Sequence, residues 1–181
     1  VAVTSTVPAK NGYTFAGWYK DSALTQPAGA SLVLTAETVL YAKWTPKSVG
    51  YTVVFWKQKV TDSKTATNAQ KTYDYAESAT GRTATVGTSV SPTSADQSKS
   101  YTGFTYNGTN SVSVTVAADG TTVLNVYYDR NLMTLNFYTR SGSNWSISQT
   151  FTGLYGSTLA SNNYTWPTGY SWNEQQNGFG T

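Results

Sequence analysis

The chain contains neither cysteine nor histidine. Without cysteine there is no disulfide, no thiolate nucleophile and no Cys-ligated metal. Without histidine there is no Ser-His-Asp triad, no imidazole base and no His-metal site. Charged residues make up 12% of the 181, about half the usual share, so solubility rests on hydroxyls and amides. Only nine residues are acidic. Asp21, Asp62, Asp96 and Asp119 sit in turn-like contexts, which leaves no evident convergent pair for glycoside hydrolysis. One Asp per turn, as at Asp119-Gly120, also falls short of a calcium cage. The basic residues Lys10, Lys20, Lys43, Lys57, Lys71 and Arg130 form no run, so no footprint for nucleic acid is seen. No apolar stretch has membrane length, and no signal-peptide or sorting-tail pattern is present. The chain therefore reads as a non-catalytic segment of a larger protein, with no cofactor and no membrane insertion of its own.

Helical periodicity is also scarce, with a short helix expected only around Ala69–Ala79 or Thr93–Ser98. What the chain has instead is repetition. Residues 35–44 read TAETVLYAKW and residues 119–128 read DGTTVLNVYY. Strand openings recur as YTVVFWKQ from residue 51 and MTLNFYTR from residue 133. Gly-aromatic phrases lie at 12–19, 102–109 and 169–172. Such internal repeats mark an array of small units, built for reach, spacing or multivalent contact more than for one deep active site.

Most segments alternate with period two. Leu40, Ala42 and Trp44 share one face, matched by Leu124, Val126 and Tyr128, and this set is the expected core. Val123, Asn125 and Tyr127 face the other way. Val53 and Phe55 align with Leu135 and Phe137 as core positions, while Trp56 and Tyr138 face away. Asn11-Gly12, Asn107-Gly108, Asp119-Gly120 and Asn177-Gly178 are tight-turn dipeptides. The linkers Thr45–Gly50 and Asp129–Leu132 are short, which restricts the angles between consecutive units. The expected units are 1–46, lacking a first strand; 47–130; and 131–181, lacking the closing strand.

GYTFAGWYKDSALTQPAGASLVLTAETVLYAKW at 12–44 resembles the Listeria–Bacteroides repeat, or internalin-type B-repeat. Gly12, Tyr13, Phe15, Gly17, Trp18, Tyr19, Asp21, Leu40, Tyr41, Ala42 and Trp44 carry the likeness. Residues 51–130, with YTGFTYN and ADGTTVLNVYYDR, resemble more loosely the mucin-binding-type relative found beside such repeats in Gram-positive surface proteins. The resemblance implies mainly β, β-grasp-like, ubiquitin-related modules in tandem, in an extracellular, cell-wall-anchored adhesin. It implies a stalk or spacer with weak host-surface contact, and it brings no catalytic residues.

Trp18 and Trp44 are expected in the core, with Phe104, Tyr106 and Tyr128 as their equivalents. Outside the core sets, Trp56, Tyr138, Trp145, Tyr164 and Trp166 are candidates for contact with a host glycan or protein, since aromatic faces stack on sugar rings. For Trp56 and Tyr138 the favoured alternative is packing on the preceding repeat. An isopeptide link needs a buried Lys, an Asn or Asp and a carboxylate together; Lys43, Asn125 and Asn136 all fall on expected wet faces. Three readings follow: spacer, dedicated carbohydrate-binding module, or an assembly element whose open edges recruit a neighbour's strand.

Overall fold

The structure, a computed structural model, describes residues 2, 3, 7–159 and 165. Among these, strands dominate and helix is limited to one short turn. Three groups of strands follow one another along the chain.

The first is an antiparallel pair, β1 (Tyr13–Tyr19) and β2 (Tyr41–Pro46). Strict alternation would put Phe15 and Trp18 on opposite faces. A register shift between Phe15 and Gly17 brings them onto one face, as an extra residue in one strand does. Phe15 then meets Trp18 and Trp44 edge-on, with centroids 5.4 Å and 5.6 Å apart. All three remain half-buried, which departs from the fully enclosed core expected for Trp18 and Trp44. The physical reason is coverage: among the described residues, no further strand or helix of this unit closes over the rings.

The middle group is larger. β3 (Ser48–Gln58), β4 (Tyr73–Thr85), β6 (Phe104–Tyr106) and β8 (Val123–Arg130) form one sheet in the order β4-β3-β8-β6. The central pair, β3 and β8, is parallel, and its neighbours run antiparallel. A parallel pair requires a long crossover. Here it carries β4, β6, the small pair β5 (Ser89–Val90) and β7 (Val114–Thr115), and helix α1 (Ser94–Gln97). Of the two helical expectations, the one at 93–98 is realised; Ala69–Ala79 runs instead into β4.

Alternation along β3 and β8 sends Val53, Phe55, Leu124, Val126 and Tyr128 inward, each at most 1% exposed. Tyr101, Phe104 and Tyr106 pack around them. The Tyr128 hydroxyl donates to the Asp96 carbonyl and accepts from the Lys99 amide at 3.0 Å, which ties the α1 segment to the sheet. Thr93 caps α1 in a capping box with Asp96, satisfying amides that a helix start leaves free. Asp96 is 1% exposed and receives two bonds from the Arg82 guanidinium, 2.7 Å and 2.5 Å long.

The third group is an antiparallel hairpin, β9 (Leu132–Ser141) and β10 (Asn144–Leu154). Phe137 and Phe151 meet edge-on at 5.7 Å. β9 repeats the opening phrase of β3, but among the described residues it pairs with β10 alone, whereas β3 has strands on both sides.

Candidate functional site

On the outer face of the middle sheet, an aromatic row crosses three strands. Trp56 of β3 lies opposite Tyr75 of β4 and beside Tyr127 of β8. Its indole meets Tyr75 at 6.2 Å and 86°, and lies near-parallel to Tyr127 at 6.4 Å and 19°. Tyr73 packs against Tyr127 at 4.6 Å. The indole N–H donates to Asn125 Oδ1 at 2.8 Å, which fixes the ring about its last torsion. Trp56 and Tyr127 are half-buried, and Tyr75 is 59% exposed.

A polar network stands behind this row. Asp129 accepts from Lys71 Nζ at 2.7 Å, from the Tyr73 hydroxyl at 2.8 Å and from Asn107 Nδ2 at 2.8 Å. Asn110 Nδ2 donates to the Tyr73 hydroxyl at 2.9 Å, and Lys71 also reaches Asn68 at 2.9 Å. Burial, together with the bond to the Asp129 carboxylate, pushes the Tyr73 phenol well above its ordinary range, so it stays a neutral donor. The network joins the loop before β4, the loop after β6 and the end of β8. It is the constellation nearest to an isopeptide triad, but Lys71 and Asp129 are each about a fifth exposed and directly ion-paired.

Of the five sequence candidates, the structure places Trp56 in this row, packed within its own sheet. Tyr138 and Trp145 lie elsewhere, on the β9–β10 hairpin, opposite Ile147 and Arg140 respectively. They are 54% and 61% exposed, and Trp145 has the Arg140 guanidinium 5.8 Å from its ring. Tyr164 and Trp166 lie outside the described residues. Sequence reasoning missed Tyr73, Tyr75 and Tyr127 as companions of Trp56. The signal for Tyr127 was present, since alternation placed it away from the core. The parallel register that sets it beside Trp56 is a long-range fact.

Other acidic residues close loops. Asp21 accepts from the amides of Thr25 and Gln26, and Asp62 from the amide and hydroxyl of Thr72. Asp119 accepts from the amide and hydroxyl of Thr121.

The junctions between the three groups are built around glycine. At the first, the Lys47 amide donates to the Gly12 carbonyl at 2.9 Å, and the Val86 amide to the Lys47 carbonyl at 3.0 Å. A Cβ on Gly12 would come within 2.7 Å of Ala118, so the Asn11-Gly12 turn lies directly on the middle unit. At the second, the Tyr155 ring lies against Gly103, where a Cβ would fall 2.2 Å from it. Arg130 Nη1 donates to the Tyr155 carbonyl at 2.7 Å, the Tyr155 amide to the Asn131 carbonyl at 2.8 Å, and the Asn131 amide to the Gly103 carbonyl at 2.9 Å. Lys64 Nζ adds a bond to Thr152 Oγ1 at 2.8 Å.

The hairpin of β1 and β2, its aromatic trio and its Asp21-closed loop bear on kinship. Residues 1–43 match the Listeria-Bacteroides repeat domain. Listeria-Bacteroides repeats are typical of bacterial surface proteins and are a non-catalytic kind of module. No curated protein and no solved structure matches the chain. The mucin-binding-type likeness of residues 51–130 has no counterpart in these comparisons.

Proposed function

We propose that this chain is a spacer segment of an extracellular, cell-wall-anchored bacterial adhesin. In this reading the three units stand in tandem and hold a limited range of angles. The observation that carries it is the construction of both junctions, where glycine backbone, a close-packed neighbour and several hydrogen bonds replace a free linker. A joint of this kind transmits orientation, whereas a Gly/Ser tether would only limit distance. Repetition would add weak host-surface contacts into avidity.

We further assign the middle unit to the β-grasp class. The order β4-β3-β8-β6, a parallel centre and a helix in the crossover support that assignment.

The chain has no native cysteine, so paired spin labels test the spacer directly. Labels at Ala16→Cys and Thr109→Cys span the first junction, and labels at Thr109→Cys and Ser143→Cys span the second. Each pair is expected to give one narrow distance distribution, and Tyr155→Ala is expected to broaden only the second. Broad distributions in the otherwise unaltered chain would overturn the spacer.

A further inference from the structure

We propose that the Tyr75–Trp56–Tyr127 row is a binding shelf for a short, neutral carbohydrate of about two sugar rings. This goes beyond the spacer reading and does not depend on it.

Trp56 and Tyr127 are near-parallel at 19°, yet their centroids are 6.4 Å apart. At that separation the rings are too far apart for face-to-face contact, so neither seals the other's face. A sugar's axial C–H groups pack on such π-faces, while its hydroxyls seek donors and acceptors at the margin. Tyr75 stands at 86° to the indole and forms a wall beside the shelf.

Polar groups are already placed at the rim. Asn125 spends its Oδ1 on the indole N–H, which orients its Nδ2 amide; that donor has no partner among the described residues. The Tyr75 hydroxyl, bonded to Ser78 Oγ at 3.2 Å, offers a second exposed group. A few oriented polar groups around aromatic walls are the usual make-up of a small-molecule site.

The shelf is also pre-organised. Trp56 is held by Asn125, and Tyr127 is backed by Tyr73, itself fixed by Asp129 and Asn110. Little side-chain freedom remains to be lost on binding.

Charge and size decide the ligand class. The row itself carries no ionic group, and the ion pairs close to it in the chain, Lys71–Asp129 at 2.7 Å and Lys59–Asp74 at 3.5 Å, are each neutralised internally. That disfavours an anionic or cationic partner. Neighbouring strands lie about 4.8 Å apart, so a row across three strands spans about 10 Å. This fits a disaccharide, and is small beside the roughly 800 Å² per side of a stable protein interface.

The test titrates the full 181-residue chain with cellobiose, lactose, N-acetyllactosamine and chitobiose. Saturation-transfer NMR reports contact and calorimetry reports affinity. Saturable binding of at least one is expected. Tyr75→Ala, at an exposed position that leaves the core intact, should weaken it about tenfold, and Trp56→Ala should abolish it. Tyr138→Ala and Trp145→Ala should leave it unchanged. Absence of saturable binding by all four sugars overturns the proposal, as does binding that survives both Tyr75→Ala and Trp56→Ala. Sedimentation showing that the row is buried between two copies of the chain overturns it as well. Failure here would leave the spin-label distances untouched, so the two readings fall separately.

Discussion

The first unit and the middle unit speak the same sequence phrases and bury them differently. In the middle unit, Tyr128 ends a Thr-Val-Leu strand and is 1% exposed. In the first, Trp44 ends the matching strand and stays half-buried. Both strands present an apolar face with period two. The middle one has three companion strands and a capped helix to close over it, whereas the first has one companion and an edge-to-face trio of rings. The repeated phrase thus specifies a strand and its dry side. Enclosure depends on how many other elements reach that side.

The sharpest way to break this comparison is a matched pair of deletions. Phe55→Ala removes a fully buried ring and is expected to destabilise the middle unit by about 3–5 kcal/mol. Phe15→Ala removes a half-buried one and should cost the first unit about 1 kcal/mol. Denaturant unfolding followed by aromatic fluorescence reads both. Equal losses would mean that the first unit encloses its rings as well as the middle unit does.

Next in size is Asp96. Asp96→Ala leaves the Arg82 guanidinium and the Thr93 amide without their acceptor, at a cost of about 3 kcal/mol. Burial pushes the Asp96 carboxyl up, but the bonds from Arg82 and Thr93 outweigh it and hold the group below its ordinary 3.8. With the folded value below the unfolded one, its contribution is complete above about pH 4 and is lost as pH falls through the folded value. Acid titration should therefore destabilise the middle unit below about pH 4, and Asp96→Asn should flatten that slope. An unchanged slope in the variant would remove Asp96 from the account.

A smaller effect separates backbone strain from joint packing. Gly87 and Gly103 both have positive φ, at 83° and 77°. A Cβ meets nothing within 4 Å at Gly87, but meets the Tyr155 ring at Gly103. Alanine at either position should cost about 1 kcal/mol of strain. Only Gly103→Ala should also shift the Thr109–Ser143 label distance. If Gly87→Ala shifts it equally, the second junction is not held by Tyr155.

The smallest expected effects are those of Tyr138→Ala and Trp145→Ala on the exposed hairpin, each within about 0.5 kcal/mol in thermal unfolding. A larger loss at either would show that the hairpin encloses these rings, narrowing its difference from the middle sheet's outer face.

Much of this was legible residue by residue. Val53, Phe55, Leu124, Val126 and Tyr128 were readable as core because alternation is a local signal, but the same alternation put Leu135 in the core, where on the two-stranded β9–β10 hairpin it is 48% exposed. The short helix at 93–98 was legible only as one of two candidates, and its capping box came from the structure. Trp56 was readable as facing away from the core. Its companions were not, because Tyr75 and Tyr127 come from strands 19 and 71 positions along the chain, and only pairing register brings them together. The half-burial of Trp18 and Trp44 was likewise invisible, since an apolar face does not announce what will cover it.

By itself, the amino-acid order determined where β3 and β8 run and which of their sides is dry, that the chain turns at Asn11-Gly12 and Asp119-Gly120, and that no thiol or imidazole chemistry is available. These follow from local geometry, in which side chains alternate and glycine or asparagine permits tight reversals. Tertiary structure alone decided that β3 and β8 run in parallel, that three rings from three strands form one outer row, and that Gly12 and Gly103 seat the neighbouring units. Those outcomes depend on register and on close approach between distant segments, which period-two alternation does not encode.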